Sequence, residues 1–215
     1  MGDFTKMRYS DLVSESPQRV PPTNFIFDKG DKNRAFATKM LKKEVGNPLE
    51  DTSEYRLFQT GNARNGWLVM VNKQDGRTDF AMRFIAGSRS WLPSFVSANV
   101  GWVDRAKSHT AGLVSRMFFD HLLKKFGTVV SDRKQTPSGE GFWRRQMSEA
   151  ITRGYRVGLS NMNTQAIAWF DPTAGQSLTD WIDRQDAYGD EHRYQAKRFV
   201  VISQAASFDA DSINS

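Results

Sequence analysis

Two polar residues that could do chemistry directly follow a short, uniformly apolar segment in the second half of the chain. Residues 128–130 (Thr-Val-Val) predict a short central strand, and Ser131 and Asp132 come immediately after it. Ligands of open α/β sheets bind at the carboxyl ends of the strands, so Asp132 is the first candidate for a general base and Ser131 is a second catalytic candidate. The alternative interpretation is that these side chains only cap the loop that follows.

A second group of candidates surrounds a glycine-bearing turn earlier in the chain. Residues 108–113 read Ser-His-Thr-Ala-Gly-Leu and lie between a predicted strand and a predicted helix. The free amides and the dipole of a helix N-terminus favour an anion, and Gly112 lets the backbone approach that anion closely. Asp104 is another candidate base beside the turn, and His109 is a candidate base or phosphate contact. The alternatives are that the turn only starts a helix and that His109 is merely solvated.

Several classes of chemistry are excluded or disfavoured by composition. The absence of cysteine excludes disulfides, thiolate catalysis and cysteine-ligated zinc. The three histidines, His109, His121 and His192, lie far apart in sequence and show no metal-ligand spacing such as HExxH. We therefore expect no metal site.

The charge of the chain leaves several kinds of partner open. There are 30 Lys and Arg residues and 24 Asp and Glu residues, which gives a net charge of +6. A mildly basic protein can meet an anionic cofactor, an acidic partner or nucleic acid. The basic residues are scattered in pairs such as Arg133-Lys134 and Arg144-Arg145, and such pairs are typical of solvated helix faces. Nucleic acid therefore stays a candidate partner, but a dedicated groove for it is the less favoured hypothesis.

Length and hydropathy predict one domain away from membranes. A chain of 215 residues fits a single domain with its own core. No apolar run approaches the roughly 20 residues that cross a bilayer, and the first residues contain no apolar segment of the secretory type. We expect a cytoplasmic protein with no membrane contact.

Hydrophobic periodicity predicts the elements that must position these residues. An irregular arm is expected over residues 1–30, one domain over 31–203 and a frayed tail over 204–215. The first half of the domain is predicted to be a helix followed by an antiparallel meander with hairpin turns at Asn65-Gly66 and Gln74-Asp75-Gly76 and a loop at 87–93. The predicted helix is at 33–43, and the predicted strands are at 55–60, 67–73, 80–84 and 95–103.

The second half of the domain is predicted to alternate helices and strands. Helices are expected at 110–126, from Thr136-Pro137 to Arg153, and at 177–184. Strands are expected at 128–130, 155–160, 165–170 and 198–203. The strand–helix–strand unit over 95–130 implies one parallel pair inside an otherwise mostly antiparallel α/β sheet.

This order of elements resembles the GNAT acyltransferase superfamily over roughly residues 30–203. That family has a meander leading into a strand, a pyrophosphate-binding turn, a helix, a strand that splays from its neighbour, a second helix and a final pair of strands. The closest local likeness runs from Val129 to Trp143, where a strand ending in Ser-Asp is followed by Thr, Gly and an aromatic-rich helix start. This stretch looks like a divergent branch of the family that occurs in phages and bacteria. The resemblance therefore includes the possibility that the protein acts in the cytoplasm of a phage-infected bacterial host.

The resemblance implies a fold, an activity and a cofactor. The fold is an α/β domain with a mixed, mostly antiparallel twisted sheet and helices on both faces. The activity is transfer of an acetyl or other acyl group from acyl-CoA to an amine on a protein, a nucleobase or a small molecule. The catalytic candidates are then Asp132, Ser131 and Asp104. The implied cofactor-binding residues are Trp102, Val103, Arg105, His109, Thr110, Ala111, Gly112, Leu113, Thr136 and Gly139.

The chain departs from the family pattern at two places. Aligned on Gly112, His109 stands at the usual Arg or Gln position and Val114 at the final small position. Near the second helix, Thr136 and Trp143 stand where the family often has an Asn and a Tyr general acid, and tryptophan cannot donate that proton. Two alternatives therefore stay open: a GNAT-like binding protein without catalysis, such as a phage inhibitor or virion component, and a GNAT-like protein that binds or modifies DNA.

An acidic and aromatic segment near the C-terminus is the candidate acceptor side. Residues 171–191 include six acids together with Trp181 and Tyr188. Such a wall would favour a cationic amine or a basic protein surface. The alternative is a solvated surface helix and loop.

Overall fold

The computed structural model describes residues 30–104, 106–131, 137–161, 165–185 and 198–204. The predicted arm at 1–30 and tail at 204–215 lie almost entirely outside these ranges. The strands are β1 (Glu50–Asp51), β2 (Tyr55–Gly61), β3 (Asn65–Asn72), β4 (Thr78–Arg89), β5 (Leu92–Val103), β6 (Thr128–Val130), β7 (Arg156–Asn161), β8 (Ala166–Trp169) and β9 (Arg198–Ser203).

Helices precede or connect these strands. The first is α1 (Gly30–Leu41), the third is α3 (Pro137–Thr152) and the fourth is α4 (Leu178–Arg184). The second, α2, is one continuous helical run of three stretches, Leu113–Arg116, Met117–Leu123 and Lys124–Phe126, of which the middle one is π-helical. Gly127, at φ +75°, ends α2 in the left-handed conformation that glycine favours.

The meander from β2 to β5 is antiparallel as predicted, but the first hairpin turn is displaced from the predicted dipeptide. The prediction of a turn at Asn65-Gly66 was wrong, because Gly66 lies within β3 and pairs with Gly61. The side chain of Asn62 accepts the amide hydrogens of Arg64 and Asn65 at 2.8 and 2.9 Å, and this sets the turn three residues earlier. Gly66 is instead required by a close approach, since a Cβ there would lie 2.0 Å from the carbonyl oxygen of Thr60.

The predicted loop at 87–93 was also wrong. β4 continues to Arg89 and β5 already begins at Leu92, which pairs with Arg89. Leu92 is buried with Val130 and Val201 in a small cluster. This burial explains why the strands extend into a segment whose Gly87 and Pro93 predict a loop.

The sheet as described has nine strands in the order β1-β2-β3-β4-β5-β6-β9-β7-β8. β5 and β6 are parallel, joined by α2, and the remaining neighbours are antiparallel. β9, the last strand in sequence, lies between β6 and β7 and is antiparallel to both. The structure therefore confirms an α/β fold with an open, mixed and mostly antiparallel sheet.

The two faces of the sheet are covered differently. The face covered by α2 and α3, called the helix-pair face, forms one continuous core that contains Phe84, Phe118, Trp143 and Met147. The opposite side, called the α1 face, carries a separate cluster in which Phe58 of β2 packs with residues of α1. Helices thus lie on both faces, with most of the apolar core on the helix-pair face.

Candidate functional site

β5 and β6 stop pairing toward the carboxyl end of β5, and the place beyond their last pair is called the cleft. The two strands pair at Val96–Val129 and Ser97–Val130 only. β5 nevertheless continues to Val103, which still pairs with Phe80 of β4. The backbone edge of residues 98–103 therefore has no β6 partner in the described part of the chain, and such an edge can bind an extended ligand through main-chain groups.

α2 and α3 each follow one of the two parallel strands in the chain, α2 after β5 and α3 after β6. Ser115 of α2 donates a hydrogen bond to Glu149 of α3, and Arg153 bonds Asp120 at 3.0 Å one turn later. These contacts show that α2 and α3 run side by side in the same direction, with the first turn of α2 beside the last turn of α3.

The turn from β5 to α2 is held by its own hydrogen bonds. The Thr110 hydroxyl, on a residue that is 4% exposed, donates to the carbonyl oxygens of Asp104 and Lys107 at 2.7 and 2.8 Å. The Asp104 carboxylate accepts the amide hydrogen of Ala106 at 3.1 Å. The predicted site residues Asp104 and Thr110 therefore fix the shape of this turn.

Gly112 lies directly before the first turn of α2. Its φ of +66° is left-handed, and nothing lies within 4 Å of the place where a Cβ would stand. Ala111 is exposed beside it, whereas Leu113 is 1% exposed and belongs to the core. The backbone before α2 is thus open to a ligand on one side and anchored to the core on the other.

His109 joins this turn to the β3–β4 hairpin. Its Nε2 lies 2.7 Å from Oδ2 of Asp79, whose side chain is 2% exposed. Asn72 also donates to that oxygen, at 3.1 Å. The ring of Tyr55 packs on the imidazole with 5.1 Å between centroids. Sequence reasoning missed Asp79, and its only signal was an acidic residue next to the first apolar position of a predicted strand.

Tyr55 links the imidazole to the edge of the sheet. Its hydroxyl donates to Glu50 at 2.8 Å, and Arg116 of α2 pairs with the same carboxylate at 3.0 Å. The bond to Glu50 and the burial of the ring raise the pKa of Tyr55. Arg116, which adds positive charge beside the turn in the sequence, is therefore largely neutralised by Glu50.

Ser131 is part of the sheet and does not project into the cleft as a nucleophile would. It is 2% exposed, and its hydroxyl accepts the amide hydrogen of Val200 at 3.0 Å. Its own amide donates to the carbonyl oxygen of Val200, also at 3.0 Å. The hydroxyl thus continues the β6–β9 pairing by one residue.

The other sequence-predicted residues are distributed around the cleft. Val103 is partly buried against the main core, and Trp102 lies in β5 opposite Ala81. Gly139 lies in the first turn of α3. The remaining candidates, namely Arg105, Asp132 and Thr136, lie outside the described residues.

Gln146 of α3 is a candidate that sequence reasoning did not identify. It is 6% exposed, and its side-chain oxygen has no hydrogen-bond partner among the described residues. It lies nearly one turn before Glu149, which contacts Ser115, so it faces the start of α2. Its signal in the sequence was a polar residue inside the apolar stripe of a predicted helix, and its oxygen could accept an N–H group of a ligand.

The acidic segment near the C-terminus is used mostly for capping and ion pairing. Asp171 accepts the amide and the hydroxyl of Thr173 at 2.8 and 2.7 Å, and these bonds lower its pKa. The Ser177 hydroxyl accepts the amide hydrogen of Asp180 at the start of α4. Asp183 pairs with Arg144 at 2.7 Å. The later acids of this segment lie outside the described residues.

Many cationic side chains are neutralised within the fold. Carboxylates lie within 3.4 Å of the guanidinium groups of five arginines: Arg34, Arg56, Arg116, Arg144 and Arg153. Over the ranges that the structure describes, no group of three or more His, Asp or Glu side chains could hold a metal ion. Nor does any helix there reach the length and apolar character needed to span a membrane.

Comparison of the chain with protein-family models, with curated proteins and with solved structures finds no match. The site is therefore interpreted from its own geometry.

Proposed function

We propose that this protein is an acyl-CoA-dependent N-acyltransferase with a GNAT-like fold. The observation that supports the proposal is that β5 continues beyond its two positions paired with β6, with a turn and a helix start after its end. The order of a meander, a turn, a helix, a strand, a second helix and further strands agrees with the order that the resemblance to this superfamily implies.

The proposed cofactor runs along the unpaired edge of β5. Main-chain groups over 98–103 bind the pantetheine arm in the manner of an added strand. The pyrophosphate lies beside Gly112, where the left-handed backbone leaves open space before α2 and the helix dipole favours negative charge. The thioester then lies near the point where β5 and β6 separate.

The proposed reaction is transfer of the acyl group to an amine. The amine nitrogen attacks the thioester carbonyl, the tetrahedral intermediate collapses, and the CoA thiolate leaves. The nitrogen loses a proton to a base, for which Asp132 remains the first candidate because it follows the last residues of β6 in the sequence. Ser131 and Asp104 are weaker candidates, because their side chains already serve the sheet and the turn.

A second candidate function is ligand or protein binding without catalysis. It is favoured by the structural roles of Ser131 and Asp104, which are two of the three predicted catalytic residues. Nucleic-acid binding gains less support, since five arginines have carboxylate partners.

Calorimetric titration with acetyl-CoA, and with desulfo-CoA as a second ligand, tests the proposal. We expect saturable binding that Gly112→Glu weakens at least tenfold, because the new side chain brings negative charge and bulk to the phosphate position. Gly46→Glu is the matched control, since Gly46 is also exposed, has φ +74° and has nothing within 4 Å of its Cβ position. Absence of binding to the wild-type protein would refute the cofactor. Binding without acyl transfer to any of a panel of amines would favour the second candidate.

A further inference from the structure

Both ends of the turn before α2 bind the same buried residue. The amide of Asp104, where the turn begins, donates to the main-chain oxygen of Asp79 at 2.7 Å. His109, near the end of the turn, contacts the Asp79 carboxylate at 2.7 Å through Nε2. Hydrogen bonds of Asp104 and Thr110 hold the shape of the turn, so these two further bonds determine where it lies relative to the sheet.

The carboxylate of Asp79 needs the imidazole as a donor. Asp79 is 1% exposed, and a buried carboxylate is tolerated only when hydrogen-bond donors surround it. Among the described residues, Asn72 at 3.1 Å and His109 at 2.7 Å contact its Oδ2. A carboxylate only accepts, so the proton of this contact lies on Nε2, which has no further hydrogen to offer a ligand.

The other ring nitrogen of His109 also faces a carboxylate. Its Nδ1 lies 3.9 Å from Oε2 of Glu54, and Tyr55 covers the ring face. A negative charge next to Nδ1 repels an approaching phosphate. Both ring nitrogens of His109 are therefore directed at acids of the protein.

We propose that Asp79 and His109 are positioning residues that latch the turn of residues 104–112 to the sheet, and that His109 is not itself an anion ligand. The consequence for binding rests on the proposed function, since it assumes that the ligand at this turn is the CoA pyrophosphate. The latch between the turn and β4 does not depend on that assumption. In this proposal, the main chain around Gly112 contacts the ligand.

A double-mutant cycle with acetyl-CoA as the probe tests the role in binding. His109→Ala and Asp79→Ala should each weaken binding about tenfold, because each removes the same charge-assisted contact. The double variant should be no weaker than the weaker single variant by more than about twofold, since the two changes share one interaction. If Asp79→Ala binds as well as the wild-type protein while His109→Ala loses affinity, His109 contacts the phosphates directly and the proposal is wrong.

Hydrogen–deuterium exchange without ligand tests the latch itself. His109→Ala should speed amide exchange over residues 106–113 by about tenfold or more and leave β7 unchanged, because only the turn is released. Glu54→Gln is the control, since it removes the other carboxylate beside the ring on a side chain that is 63% exposed, and it should leave exchange of the turn unchanged. Unchanged exchange in His109→Ala would overturn the latch, even if acetyl-CoA binds. Failure of acetyl-CoA to bind would overturn the proposed function while a positive exchange result kept the latch.

Discussion

The two faces of the sheet differ in how their buried apolar residues are grouped. On the helix-pair face, α2, α3 and α4 bury one continuous apolar core that reaches from β2 to β9. On the α1 face, the apolar residues form two smaller clusters, one beneath α1 and one around Leu92, Val130 and Val201. The row between them is polar, because Arg83 of β4 lies opposite Asn99 of β5.

Because of this difference, we expect the residues that contribute most to stability on the helix-pair face, whereas the candidate site lies at the strand ends. A continuous core gives each deleted side chain rigid neighbours, whereas small clusters next to a polar row can relax around a change. The cleft opens between the strand ends, and the helices that border it are anchored on the helix-pair face by Leu113 and Trp143. The rigid face therefore holds the helix starts in place, and the following predictions test how far the two faces differ.

Deleting a phenylalanine ring from each face gives the largest expected contrast. Phe84 of β4 and Phe58 of β2 are both 0% exposed, but Phe84 lies on the helix-pair face and Phe58 on the α1 face. We expect Phe84→Ala to lower the free energy of unfolding by about 3–5 kcal/mol, and Phe58→Ala to cost about 1–2 kcal/mol less because its cluster can collapse. Urea unfolding of both variants measures the difference. Equal losses would show that the two faces are equally rigid.

The alternation of apolar and other residues along a strand shows which parts of the fold the sequence predicts. Phe80, Met82 and Phe84 alternate with other residues along the predicted strand at 80–84 and are buried in one core cluster, because a strand with one buried face repeats every second residue. The turn at 62–64 was missed because the Asn65-Gly66 dipeptide gave the stronger local signal, while the capping by Asn62 depends on the register of two strands. Local patterns thus predicted the elements better than their boundaries.

The site was less predictable because its residues meet across long stretches of chain. His109 was identified as a candidate because it lies in a glycine-bearing turn. Its partner Asp79 is 30 residues away and comes close to the turn only because β4 pairs with β5. Ser131 was placed correctly after a central strand, yet its contact is Val200, 69 residues later. Sequence spacing carries no signal for such contacts without relatives to compare.

The attachment of α1 to the sheet should depend on one amide side chain. Asn33 is 1% exposed, donates to the carbonyl oxygen of Thr78 at 3.1 Å and accepts the Thr78 amide hydrogen. Asn33→Ala should lower the free energy of unfolding by about 1–3 kcal/mol, because it leaves buried main-chain groups unsatisfied. Urea unfolding measures it, with Thr38→Ala on the exposed side of α1 as the control. A loss no larger than the control's would mean that water or another group replaces the amide.

A partly buried imidazole on α2 should make the stability of the fold sensitive to acid. His121 of α2 has a lowered pKa, first because of burial and second because of the nearby charge of Lys125. Below the ordinary value of 6.5 the unfolded chain binds a proton that the folded chain refuses, so stability falls as pH drops from 6.5 through the lowered folded pKa. Above 6.5 this group contributes no slope.

Denaturant unfolding at several pH values checks this sign. His121→Gln should flatten the dependence of the unfolding free energy on pH below 6.5, and Lys125→Gln should reduce it partly because only the second cause is removed. A wild-type stability that rises on acidification over this range, or a His121→Gln profile identical to wild type, would contradict the assignment.

The smallest effect is expected on the solvent side of the two helices. Arg153 of α3 bonds Asp120 of α2 at 3.0 Å, and the Asp120 side chain is 57% exposed. Asp120→Asn should change the free energy of unfolding by less than about 1 kcal/mol, because water screens exposed pairs and Arg153 keeps its bond to Glu149 at 2.7 Å. Unfolding at low and high salt distinguishes the contribution of the ion pair from that of the apolar residues, since a screened pair loses its small effect in salt. A loss as large as that of Phe58→Ala would mean that ion pairs between α2 and α3, rather than the apolar residues beneath them, hold the helices beside the cleft.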